Sequence, residues 1–162
     1  MLVLGIDVGS QGAIALIEAD TGELVAVHDM PVLQDGPKGR AAVNPPLLAE
    51  LVYKLQPSCA YVEAVNARPG EGPTGAFAFG RCRGVIEGVL GAAGVPAKHI
   101  SPASWKRAIG IPPGKDGAKD AARSEAIRRW PSQAQLFARK KDDGRAEALL
   151  LAEYGRRLRK GQ

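Results

Sequence analysis

The sequence predicts an α/β fold. Its sheet has five strands, three antiparallel and then parallel ones, flanked by helices. Three observations carry this. Three β-like apolar runs open the chain with only tight turns between them. Two further strand-length runs, 59–63 and 95–100, are each preceded by a helical segment. After residue 100 the regular segments read as helices. Strands joined by tight turns pair antiparallel and strands joined through helices pair parallel, so the product is a mixed sheet with helices on its faces.

Residues 2–8 (LVLGIDV) form an apolar run with one acid near its end, the pattern of a buried strand. Gly9-Ser10-Gln11-Gly12 is a tight turn. Residues 13–19 and 23–29 are the next two strands, joined at Asp20-Thr21-Gly22, where glycine supplies the positive φ. Residues 31–43 read as a loop. Asn44 caps a helix with Pro45 and Pro46 in its first turn, and Leu47, Leu48, Leu51, Val52 and Leu55 form its apolar stripe until Pro57 ends it. The strand 59–63 (CAYVE) ends in an acid. A loop at 66–75 leads into a long helix at 76–93. After the strand 95–100, Ser101 and Pro102 start a short helix containing Trp105 and Lys106. A second loop, 109–117, precedes a helix from about 118 to 130. A basic linker, 131–142, leads to a last helix from about 143 to 158.

Composition sets the class. The 162 residues, 45% hydrophobic and 24% charged, suit a single globular domain over 1–162. No apolar run approaches the ~18 residues of a membrane span. The start lacks a basic segment and carries Asp7, so it does not read as a signal peptide. Cys59 and Cys82 are too few for a disulfide framework or a four-cysteine zinc site, and a cytoplasmic location is expected. Charge is uneven. Residues 1–97 carry 6 Lys/Arg against 10 Asp/Glu, whereas residues 98–162 carry 16 against 7. A basic C-terminal part suggests a polyanionic partner, with nucleic acid foremost.

The acids then stand out. Asp7 is embedded in an apolar strand, where burying an unpaired carboxylate costs several kcal/mol. Glu63 ends the fourth strand in a similar setting. Asp143 and Glu147, four residues apart, share a helix face although like charges at that spacing repel. Taken singly, each has a structural alternative. Asp7 can cap its turn, Glu63 can simply end a strand, and the helix acids can complement the helix dipole. The ends of strands one and four can lie side by side, with the last helix crossing them. The four acids then form an oxygen-rich site for hard cations such as Mg²⁺. Two such ions can activate a water and stabilise the leaving oxygen of a phosphodiester. Asp142 points off the Glu147 face and ranks below Asp143.

These motifs resemble a known family. LGIDVGSQGAIALIE (4–18) is similar to the first strand-turn-strand of RuvC-type Holliday junction resolvases, which have a ribonuclease H-like, retroviral-integrase fold. YVEAV (61–65) resembles their second acidic motif. DGRAEALLLAEYG (143–155) resembles their C-terminal acidic helix, especially in phage versions. The resemblance implies a homodimeric, Mg²⁺-dependent endonuclease (Mn²⁺ being an alternative) with two ions per active site. Its partner would be branched DNA, chiefly four-way junctions, nicked symmetrically in two opposing strands. The implied metal ligands are Asp7, Glu63, Asp143 and Glu147. Two departures stand: bacterial members place the last two acids three apart, and their final acid is Asp rather than Glu.

The same resemblance directs attention to Lys106, Lys115 and Lys119, in the region where family lysines hold the junction backbone. Arg123 is an added phosphate contact, and Ser10 sits at the rim of the site. The loop 66–75 resembles a family loop beside the active site. Phe77 and Phe79 follow it; either can pack in the core, and an aromatic there can stack on an unpaired base, Phe77 being the expected one. Gly80, Gly84, Gly88 and Gly91 form a stripe on the long helix, suited to close approach of either the sheet or the same helix of a second subunit. The implied dimer favours the latter. Three rival classes remain. One is a nuclease for branched DNA generally or for RNA–DNA hybrids, and another is a catalytically silent junction-binding relative. The third, an actin-like ATPase, shares the Asp-Val-Gly-Ser motif but needs a second domain and further phosphate loops that this chain lacks.

Overall fold

The computed structural model describes residues 1–35, 39–64, 66, 70, 72–112 and 117–161. The opening meander forms as expected: β1 (Leu2–Asp7), β2 (Ala13–Glu18) and β3 (Leu24–Asp29) pair antiparallel, and Gly22 takes its positive φ of 76°. The segment read as a loop at 31–43 contains a short ribbon, β4 (Val32–Leu33) against β5 (Ala42–Val43). Two-residue strands are too short to show a period in sequence. Helix α1 (Pro45–Leu55) starts where Asn44 accepts a hydrogen bond from Leu47 N–H.

Strand β6 (Cys59–Glu63) pairs parallel with β1, and β7 (Ala97–Ile100) pairs parallel with β6, giving the order β3-β2-β1-β6-β7. Between them α2 (Pro73–Ala92) starts three residues before the expected 76, because Pro73 needs no N–H partner in a first turn. Three helices follow: α3 (Pro102–Ile109), α4 (Ala118–Arg129) and α5 (Asp143–Lys160). The expected linker 131–142 holds two short 3₁₀ segments, Pro131–Phe137 and Lys140–Asp142.

β1 is buried on both faces, as its apolar run requires. Val3, Ala13, Ala15 and Ile17 pack with Ala148, Leu149 and Ala152 of α5. Leu4, Ile6, Ile14 and Leu16 pack with Leu48 and Val52 of α1 and with Cys82, Ile86 and Leu90 of α2. α5 sits unusually close to the sheet at Gly5. A Cβ there would overlap the Ala148 carbonyl oxygen and lie 2.6 Å from the Ala152 nitrogen. Among the described residues, no helix is long and apolar enough to cross a membrane.

Candidate active site

Parallel pairing places Ile6 opposite Val62, so Asp7 and Glu63 end neighbouring strands side by side. The close seat of α5 brings in the third acid. Asp7, Glu63 and Glu147 each offer a carboxylate oxygen, and these oxygens lie within 4.8 Å of one another. Asp143, one turn before Glu147, lines the same open cleft of about 700 Å³. Gly144 permits this meeting. A Cβ on it would stand 2.8 Å from the Gln11 carbonyl oxygen and 3.1 Å from Asp7 Oδ2.

The electrostatics follow from the crowding. Burial, together with the Glu147 and Glu63 charges, pushes the Asp7 carboxyl well above its ordinary range; Lys106 offsets part of this. Two lysines supply counter-charge. Lys106 Nζ donates to Glu147 Oε1 at 2.6 Å. Lys119 pairs with Asp143, and that bond raises the lysine's own pKa. Trp105, fully buried, donates its indole N–H to Glu63 Oε1 at 3.1 Å.

A divalent ion fits this donor set. Three carboxylates on rigid elements supply hard oxygen ligands of the kind that Mg²⁺ and Mn²⁺ take. Asp7, Glu63 and Glu147 would hold it, and Asp143 stands at the edge with its oxygen engaged by Lys119.

Other expected residues fall in different places. Ser10 lines the cleft. Lys115 lies outside the described residues, as do 67–69 and 71 of the loop 66–75; Gly75 reaches the cleft. Phe79 lines the cleft, whereas Phe77 is 69% exposed and does not line it. Arg123, expected as a phosphate contact, is engaged in the fold: its guanidinium donates to the Ala138 carbonyl at 3.1 Å and to Asp120 at 2.5 Å. Asp142 is buried and bound by Arg139, away from the acid cluster. Gly80, Gly84, Gly88 and Gly91 face open space, not the sheet. The sequence reading missed the Trp105–Glu63 bond and the glycine seats of α5. A glycine inside β1 and another between Asp143 and Arg145 were their only signals.

No protein-family model and no curated protein sequence matches the chain. Solved structures do. T. thermophilus RuvC in complex with a Holliday junction substrate superposes with a TM-score of 0.65 at 17% identity, over 99% of this chain and 97% of that one. A structure of Thermus thermophilus RuvC gives 0.63 at 19% identity over the same shares. The yeast mitochondrial Holliday junction resolvase Ydc2 gives 0.54 at 13% identity, over 95% of this chain and 78% of that one. With its mixed sheet, crossing acidic helix and near-complete superposition, the chain has the RuvC-type, ribonuclease H-like fold.

Proposed function

We propose that this protein is a divalent-ion-dependent endonuclease that resolves four-way DNA junctions by paired nicks. The observation that carries the reading is the meeting of Asp7 and Glu63, at the ends of β1 and β6, with Glu147 of α5, in a fold shared with RuvC bound to a Holliday junction substrate and with a mitochondrial Holliday junction resolvase. A module that only bound DNA would gain nothing from clustered negative charge facing phosphates. Mg²⁺ is the expected cofactor, two ions per site, with Mn²⁺ able to replace it. When bound, the ions make the attacking water more acidic and neutralise the leaving oxygen.

The chain's own residues set the geometry. β1 and β6 fix Asp7 and Glu63 on a rigid edge, and α5 carries Glu147 and Asp143 across it. Lys106 and Lys119 place two ammonium groups at the cleft, where a DNA phosphate competes with Glu147 and Asp143 for them. Ser10 stands at the rim to meet the backbone. Phe79 faces the cleft and can stack on a base opened beside it.

Paired nicks need two sites facing opposite strands, which a two-fold dimer supplies. The exposed glycine face of α2, with Gly80, Gly84 and Gly88, is the proposed contact between copies. The test is a substrate panel in Mg²⁺: four-way junction, linear duplex, Y-fork and RNA–DNA hybrid. Preferential cleavage of the junction in opposing arms supports the reading. Equal cleavage of forks or hybrids would replace it with a broader structure-selective nuclease.

A further inference from the structure

Helix α3 brackets the acid cluster with two consecutive side chains. It begins directly after β7, where Ser101 accepts from Ser104 N–H at 3.2 Å and fixes the first turn. Because Ile100 lies opposite Glu63 in the β6–β7 pairing, α3 starts beside the acid-bearing end of β6. Trp105 then buries its ring completely and reaches back 42 residues in sequence to Glu63 Oε1. Lys106 lies over the Trp105 ring, 5.1 Å from its centre, and bonds Glu147.

A buried indole N–H needs an acceptor, and almost any backbone carbonyl would serve. Trp130 shows that solution, donating to the Gly22 carbonyl at 2.9 Å. Trp105 instead uses a carboxylate of the cluster. A carboxylate that has accepted one N–H keeps lone pairs for a cation, but it loses freedom to rotate. Such outer partners orient the ligands they touch, and removing one typically costs about 10–100-fold in metal affinity. The restriction acts unequally on different ions. Mg²⁺ demands near-ideal octahedral geometry at short distance, whereas Ca²⁺ accepts six to eight oxygens in flexible arrangements.

We propose that Trp105 is a positioning residue: through its indole N–H it fixes the Glu63 carboxylate and biases the Asp7–Glu63–Glu147 cluster toward Mg²⁺ over Ca²⁺. This rests on the reading of that cluster as a metal centre.

The test is calorimetric titration of the DNA-free protein with Mg²⁺ and with Ca²⁺, for wild type, Trp105→Phe and Asp7→Asn, with thermal melts alongside. Trp105→Phe keeps an aromatic ring and removes the donor. The expected result is a loss of Mg²⁺ affinity of about 10–100-fold with a much smaller loss for Ca²⁺. A role in packing alone would lower Tm and leave the ratio of the two affinities unchanged, which overturns the proposal. If Asp7→Asn binds both ions as wild type does, the metal centre itself is misplaced. If Asp7→Asn loses binding while Trp105→Phe keeps the wild-type ratio, only the role of Trp105 fails. A second measurement needs no variant. The chain has two tryptophans, and in a ¹⁵N-resolved spectrum the Trp105 indole signal is expected to shift on Mg²⁺ addition while that of Trp130 stays. A still Trp105 signal at saturating Mg²⁺ overturns the proposal.

Discussion

Helix α5 rests its backbone on Gly5: no side chain separates the Ala148 carbonyl from β1, and even a methyl group at Gly5 would overlap it. That contact sets the height of α5 above the sheet, and so the reach of Glu147 toward Asp7. Gly5→Ala is expected to push α5 outward and destabilise the fold by about 2–3 kcal/mol, the upper range for overpacking. Urea denaturation measures the loss. Divalent-ion affinity measured below the unfolding transition should fall as well, because Glu147 moves with the helix.

The glycines of α2 predict the opposite sign. Gly84 faces open space, so Gly84→Ala should raise the stability of the monomer by about 0.5–1 kcal/mol through helix propensity. If this face joins two copies, the same substitution weakens the dimer. Sedimentation at several concentrations, beside denaturant melts, reads both effects.

This contrast also shows what the sequence could reveal. The strand order, the helices and the convergence of Asp7, Glu63 and Glu147 follow from apolar periodicity and from acids placed at two strand ends and on one face of the last helix. The α2 glycines were visible because they repeat at helical spacing. Gly5 and Gly144, the ones that seat α5, occur singly, and a single glycine carries no period. Arg123 reads as a phosphate contact because it belongs to the basic C-terminal part; only the three-dimensional path of 131–142 brings the Ala138 carbonyl to it. Trp105 and Glu63 meet across β6–β7 pairing, a relationship that local sequence cannot express. The β4–β5 ribbon is too short for any pattern to mark.

Lys119 is 69% exposed and reaches Asp143 at the rim of the cleft. Lys119→Ala should weaken junction binding at low salt and reduce the slope of log K against log salt by about 1, as loss of one phosphate contact does. Binding isotherms across a salt series check this. An unchanged slope would mean that Lys119 serves Asp143 alone.

Glu153 supplies a pH prediction remote from the site. Burial alone would raise its pKa, but hydrogen bonds from Arg156 and Arg157 outweigh this and hold it below the ordinary 4.5. Its stabilising contribution is therefore full above that value and is lost as pH falls through the lowered folded-state pKa. Glu153→Gln should cost about 2 kcal/mol at pH 7, as expected for hydrogen bonds between charged groups. The penalty should shrink in acid. Thermal melts of both proteins between neutral pH and about pH 3 follow the convergence.

On the proposed function, Asp7 serves chemistry rather than folding. The direct test is wild type beside Asp7→Asn on one synthetic four-way junction, with binding and cleavage scored in the same Mg²⁺ buffer. Wild type is expected to make paired nicks in opposing arms, and Asp7→Asn to bind the junction with similar affinity but cleave at least about 10³-fold more slowly, a barrier increase of about 4 kcal/mol. Cleavage by Asp7→Asn at the wild-type rate would show that Asp7 is not catalytic, and tight wild-type binding without cleavage in either Mg²⁺ or Mn²⁺ would show a junction-binding protein instead of a nuclease.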